Sequence, residues 1–202
     1  MTTPDRVRHA DAIELLDRAL AYTRGALLGV HARDLSRPTP CAGWDLDALL
    51  AHMDDALDAF TEAAGGRVAA PGVRSLAVRV ETLQAKACAL QGAWSTPGAT
   101  EPVRLGSATM SPTRLALAAA LEIAVHGWDV TRATGGRRAL PDDLARRLMP
   151  VAADLVADVD RRRHFAPPLP ARPGSGGAED LLAFLGRDPV GTRSGARSAA
   201  PS

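Results

Sequence analysis

The run ALAAALEIAVHGWDV, residues 116–130, constrains the fold of this chain more than any other segment. It reads as a helix that is apolar on nearly every side, and such a helix must be surrounded by others. Yet it carries Glu122 and, four positions later, His126. A carboxylate rarely sits in such a stretch unless something positive holds it. Four residues of helix give about 6 Å of rise at nearly the same azimuth, so both side chains can converge on one ion. Leu115, Ala119 and Asp129 share this side, and the small Ala119 leaves room above it. Gly127 costs roughly 1 kcal/mol against Ala in a helix interior, which points to a packing or access requirement. Spacing alone leaves a plainer alternative open. Glu122 can face solvent at the helix edge, with His126 an ordinary hydrogen-bonded core histidine.

Other periodic segments supply the neighbours. Ile13, Leu16, Leu20, Thr23 and Leu27 form a buried stripe on a helix from about His9 to Val30. A second helix is expected from Asp45 to Ala64, capped by Asp45, with Trp44 packing back on Leu49 and His52 at the margin of its apolar stripe. A third spans about Val73 to Ala93. A fourth starts at Pro112 behind a Ser111 cap and ends at Ala133. A fifth runs from Pro141 to about Arg161, and the segment AEDLLAFLGRDP is a short helix with Leu181, Leu182 and Leu185 on its apolar side. A short extended piece is expected near Pro102–Leu105. The resulting fold class is all-α. One helical-bundle domain is expected over residues 1–190, with residues 191–202 a disordered tail.

Composition removes several function classes. The chain has 202 residues, is 46% hydrophobic and has a formal net charge of +1, so no strong field is aimed at nucleic acid or an anionic membrane. No segment offers about 20 apolar residues free of charge, and the amino terminus has no signal-peptide pattern, so the expected location is the cytoplasm. Two cysteines, Cys41 and Cys88, form neither a disulfide framework nor a CxxC pair. A Gly-rich nucleotide loop and alternating βα units are missing. The scarcity of lysine (Lys86 alone) beside abundant Arg, Ala, Gly and Pro fits a high-GC genome.

His52 is the one further histidine inside an amphipathic pattern; His9, His31 and His164 look exposed. Two imidazoles and a carboxylate are a ligand set for a divalent cation, zinc above all, with coordination positions left open for chemistry. Two motifs carry a resemblance. The run LSRPTPCAGWDLDALLAHMDDAL, with Thr39, Pro40, Cys41, Trp44, Asp45 and His52, resembles the start of the mycothiol-dependent maleylpyruvate isomerase family, part of the DinB-like metal-binding superfamily. The run LEIAVHGWDVTRATG, with Glu122 and His126, resembles that family's second hallmark, and DLLAFLGRDP is similar to the ending of a short subgroup.

The resemblance implies a DinB-like four-helix bundle with an additional carboxy-terminal helical segment, and a metal site of His52, Glu122 and His126. It also implies a low-molecular-weight thiol, mycothiol in most actinobacterial members, activated for S-transfer or thiol-assisted isomerisation of a small electrophile. Isomerases of the family carry a further α/β domain for which this chain has too few residues after the bundle, so maleylpyruvate itself is not the expected substrate. Metal-dependent hydrolysis and a non-catalytic metal-binding or interaction role remain alternatives, and helix-face pairing into a homodimer is compatible with such a bundle.

Around the site, Asp129 is placed one turn below His126, to orient it or to bind an arginine. Asp55 is placed one turn below His52, where a surface aspartate is the simpler reading. Trp44 and Trp128 are read as packing residues, Cys41 as a structural or pocket-edge thiol, and the arginines at 161–163 as a solvated helix end.

Overall fold

The computed structural model describes residues 3–63, 76–95, 103–105, 108–156, 161 and 165–189. Among these, six helices account for nearly all regular structure: α1 (Thr3–Leu27), α2 (Leu46–Ala63), α3 (Leu76–Ser95), α4 (Pro112–Ala133), α5 (Asp142–Leu155) and α6 (Gly177–Phe184). A minimal antiparallel pair, β1 (Val103–Leu105) and β2 (Ala108–Met110), precedes α4. β1 coincides with the extended piece expected there.

The bundle closes as a ring. α1 lies along α4, α4 against α2, α2 against α3, and α3 back against α1. The core is built from one stripe on each helix: Leu16, Leu20 and Leu27 of α1, as expected, Leu46, Leu49, Leu50, Met53 and Leu57 of α2, and Leu83, Ala87 and Leu90 of α3 are buried. α4 runs through the middle. Every residue from Ala119 to Thr131 is buried except Glu122, the arrangement its near-continuous apolar sequence demands.

Helix starts obey their capping signals. Asp45 Oδ1 accepts from the amide of Ala48 at 2.9 Å, and Ser111 Oγ from that of Arg114 at 3.2 Å with Pro112 in the first turn. α6 has Gly176 at its start and borrows a cap from α5, where Asp142 Oδ1 accepts from Ala178 N at 2.9 Å. A Cβ at Gly177 would lie 2.4 Å from the side chain of Arg146, so the α5–α6 packing depends on that glycine.

Two helices end short of expectation. α1 ends at Leu27, where Gly29 N and Val30 N form turn-type hydrogen bonds and Leu28 is exposed. α5 ends at Leu155 rather than Arg161, because Val156 leaves the helical region (φ −88°, ψ 73°). Val159 and the arginines at 162 and 163 lie outside the described residues, as do the third helix's expected first residues at 73–75 and the tail. No helix among the described residues is long and apolar enough to cross a membrane.

Gly127 has a packing reason. A Cβ there would fall 2.2 Å from Thr23 Oγ1 and 3.0 Å from Thr23 Cβ. The hydroxyl of Thr23 donates to Ile123 O at 2.7 Å, so α1 and α4 touch nearly backbone to backbone.

Candidate metal centre

Two helices and one turn converge at the middle of α4. α2 delivers His52 from the edge of its apolar stripe, half-buried as its marginal position predicts. α4 delivers Glu122, His126 and Asp129 on consecutive turns. The turn before α2 delivers Cys41. It is fixed by Thr39 N donating to Trp44 O at 3.1 Å, by Cys41 N donating to Thr39 Oγ1 at 3.2 Å, and by Gly43 at φ 81°.

His52 Nε2 lies 2.7 Å from Glu122 Oε1, and His126 Nε2 lies 3.0 Å from the same oxygen. The three expected donors are thus brought to one point, from positions seventy residues apart in sequence. Zinc bonded tetrahedrally at about 2.0–2.1 Å requires donors about 3.3 Å apart; here the three donors all lie within 4.8 Å of one another, a spacing that could hold an ion. His52 and His126 stand edge to face with ring centroids 5.1 Å apart.

The centre opens on a cavity of about 930 Å³, lined on one side by Cys41, Trp44, Leu121 and Val125 and on the other by Phe165, Pro167, Pro168 and Leu185. Glu122 is about a third exposed (34%) because it faces this space. Trp44, expected to pack back on α2, has its indole 4.8 Å from the ring of His52 on that helix; it is 37% exposed and lines the cavity. Trp128 is buried core, with Arg132 over its face.

The far side of His126 is closed. Its Nδ1 lies 3.0 Å from Asp129 Oδ2, and Asp129 is 0% exposed. Both carboxylate oxygens are gripped by Arg187, with Nε 2.9 Å from Oδ1 and Nη2 2.8 Å from Oδ2. Asp129 thus contacts both His126 and an arginine. Cys41 Sγ completes the group, 3.3 Å from Asp129 Oδ2, 3.5 Å from Arg187 Nη2 and 3.9 Å from His126 Nδ1. Cys41, His126 and Asp129 also lie close enough to hold an ion. The guanidinium already occupying both oxygens of Asp129 opposes a second cation there. Asp55 is exposed and lies outside both groups.

Sequence reasoning assigned no role to Arg187. Its signal was the pattern Leu-Gly-Arg-Asp-Pro after an apolar helix: a glycine stop, then a charge, then a proline. Arg161 also lines the cavity rather than a solvated helix end, donating to Phe184 O and lying over the Phe184 ring.

Electrostatics divide along the same line. Burial opposes charge on Glu122, but the two imidazoles, His126 above all, outweigh it and hold the carboxyl well below the ordinary carboxylate range. Burial likewise opposes charge on His126. Glu122, with Asp129 and Cys41, overcomes it and raises the imidazole well above its usual value. For Asp129 burial is again opposed, first by Arg187 and then by His126, and the carboxyl is brought down to about 2. The space between Glu122 and the imidazoles is therefore built to hold positive charge, which a proton or a metal cation can supply.

A family model described as "Mycothiol maleylpyruvate isomerase N-terminal domain" matches residues 16–131, more than half of the chain, including Cys41, His52, Glu122, His126 and Asp129. Two similar proteins, both described as uncharacterized, come from Mycobacterium tuberculosis strains CDC 1551 and H37Rv. Each is 28% identical over 183 residues, covering 88% of this chain and 98% of the relative. No solved structure matches the chain significantly.

Proposed function

The chain belongs to the mycothiol maleylpyruvate isomerase N-terminal domain family, and from that membership and the geometry above we propose that it is a divalent-metal enzyme acting on a low-molecular-weight thiol and a small electrophile. The observation that carries the reading is the meeting of His52 Nε2, Glu122 Oε1 and His126 Nε2 within hydrogen-bond distance at the mouth of a large cavity. A cation held there, zinc by the nature of the donors, would favour the thiolate form of a thiol entering its remaining coordination positions.

The chain's own residues supply the rest. Glu122 reduces the net charge of the centre. Trp44, against His52, restricts the rotation of that ring. Asp129 holds His126 through Nδ1 and leaves Nε2 turned to the centre. Phe165, Pro167, Pro168 and Leu185 offer an apolar surface to the electrophile. Mycothiol is the thiol that family membership favours. Transfer forms the carbon–sulfur bond by addition across a multiple bond of the electrophile, the thiol proton passing to the neighbouring atom, whereas isomerisation reverses that addition and returns the thiol.

Metal analysis of protein purified without chelators is expected to find close to one divalent ion per chain. Incubation with mycothiol and an electrophile, followed by mass spectrometry, is expected to yield the thioether or the isomer. Turnover unchanged by omitting the thiol would move the reading to metal-dependent hydrolysis. A full-length protein that binds no divalent ion would end it.

A further inference from the structure

The two walls of the cavity come from different parts of the chain. One belongs to the turn before α2, to α2 and to α4. The other belongs to residues 165–168 and 185–187, beyond the segment that matches the family. The walls are joined at Arg187, which is 8% exposed and reaches across to Asp129.

We propose that Arg187 is a positioning residue for the metal centre. By gripping Asp129 it fixes the His126 ring, with Nδ1–H toward Asp129 and Nε2 toward Glu122 and His52, and it makes the carboxy-terminal segment part of the site. The proposal rests on the reading of His52, Glu122 and His126 as metal ligands given above.

The geometry is specific. Asp129 accepts from His126 Nδ1 through Oδ2, the oxygen that also accepts from Arg187 Nη2 at 2.8 Å. Water cannot reach a carboxylate that is fully buried, so whatever orients Asp129 must come from the protein. Arg187 does so with two parallel bonds, and its Nη1 donates to Leu185 O at 3.4 Å. A planar fork does this; the ammonium of lysine does not.

The end of α6 delivers the fork. Gly186 is left-handed at φ 78°, Gly186 N donates to Ala183 O at 3.0 Å, and Arg187 N donates to Leu182 O at 2.9 Å. This is the Schellman closure, which turns the next residue back toward the helix. A Cβ at Gly186 would lie 2.6 Å from Ala166 O, so the same glycine lets the 165–168 wall press against the turn. One turn thus places both the guanidinium and the apolar wall.

The test is zinc titration of the metal-free full-length protein against a chromophoric chelator. Asp129→Asn and Arg187→Met are each expected to weaken zinc binding by roughly 10–100-fold, the usual effect of losing a partner that orients a ligand. Arg187→Lys should recover only part of this, and Arg187→Met on the Asp129→Asn background should add little. Proton NMR supplies a second readout: a His126 Nδ1–H shielded from solvent exchange in the wild type and exchanging rapidly in Arg187→Lys. A folded Arg187→Met protein that binds zinc as the wild type does overturns the proposal. Should Arg187→Met fail to fold, the NMR comparison decides, and an unprotected His126 Nδ1–H in the wild type overturns it. Failure of the wild type to bind zinc or cobalt would instead remove the metal reading, leaving the NMR comparison to decide whether Arg187 holds His126.

Discussion

The two nitrogens of His126 face carboxylates that are balanced in different ways. On the Nε2 side, Glu122 is answered by imidazoles and opens on the cavity. On the Nδ1 side, Asp129 is answered by a permanent guanidinium and sees no solvent. A charge balanced by groups that gain and lose protons can be rebalanced by a cation, whereas one balanced by arginine cannot. One imidazole thus separates an adaptable half-site from a fixed one, so side chains one helical turn on either side of His126 should fail differently.

The largest effect is expected from emptying the fixed half. Asp129→Ala leaves Arg187 charged and unpaired in the interior. Breaking a buried pair in this way costs about 3–5 kcal/mol, to be read from denaturant unfolding of the metal-free protein. Glu122→Gln should cost less in the same assay, because its side chain reaches the cavity, keeps a hydrogen-bonding partner and leaves behind imidazoles that can shed their protons. If the two variants lose equal stability, the division between the halves is wrong.

Next comes the adaptable half, where the loss appears in binding. His52→Ala, Glu122→Ala and His126→Ala should each weaken zinc binding by at least about 100-fold, more than removing a residue that only orients a ligand. The helical circular dichroism of all three should stay close to wild type. The wild type should gain roughly 2.7 kcal/mol of stability at zinc a hundredfold above its dissociation constant, and the three variants should not. A variant that keeps full occupancy does not carry a ligand.

The contrast also marks what the sequence could reveal. α4 was legible because three kinds of pattern agree on it: an apolar run, a Ser-Pro start and an ionisable pair at helical spacing. His52 was legible as a marginal residue of an amphipathic stripe, but its meeting with Glu122 was not, since nothing local fixes how α2 crosses α4; the family resemblance supplied that link. Arg187 was not legible, because its partner is 58 residues away and its placement depends on a left-handed glycine whose neighbour, Ala166, lies in an irregular segment. Trp44 was legible as a residue beside the start of α2, but its place in the cavity lining next to His52 was not. Gly127 was marked as anomalous, yet only Thr23 on another helix explains it.

That glycine gives an intermediate effect. Gly127→Ala drives a methyl into Thr23 and displaces the hydroxyl that bonds Ile123 O. Overpacking of this kind costs about 1–3 kcal/mol. The strain falls between α1 and α4, whereas the ligands come from α2 and α4. Stability should therefore drop while zinc affinity stays within a few-fold of wild type. A parallel collapse of affinity would mean that the spacing of α1 also sets the adaptable half-site.

The smallest effect reports on the fixed half from behind. Tyr22, the only tyrosine of the chain, is buried and donates to Arg138 O at 3.2 Å. Burial raises its phenol from 10.0 to about 12; Thr131 and Arg138 pull the other way, and the charge of Asp129 adds a small further rise. The folded state thus favours the neutral phenol. That stabilisation is complete below pH 10, where both folded and unfolded phenols are protonated, and it is lost as pH rises through about 12. Phenolate absorbance should titrate near 12 in the folded protein and near 10 once unfolded, with no other tyrosine to obscure it. Tyr22→Phe should lessen the fall in stability across that interval. Asp129→Asn should lower the folded midpoint slightly and Glu122→Gln should leave it in place, because Asp129 contributes to the field at Tyr22 and Glu122 does not figure among its causes. Equal shifts from both variants would mean that the two carboxylates act on α1 as one, against the separation drawn through His126.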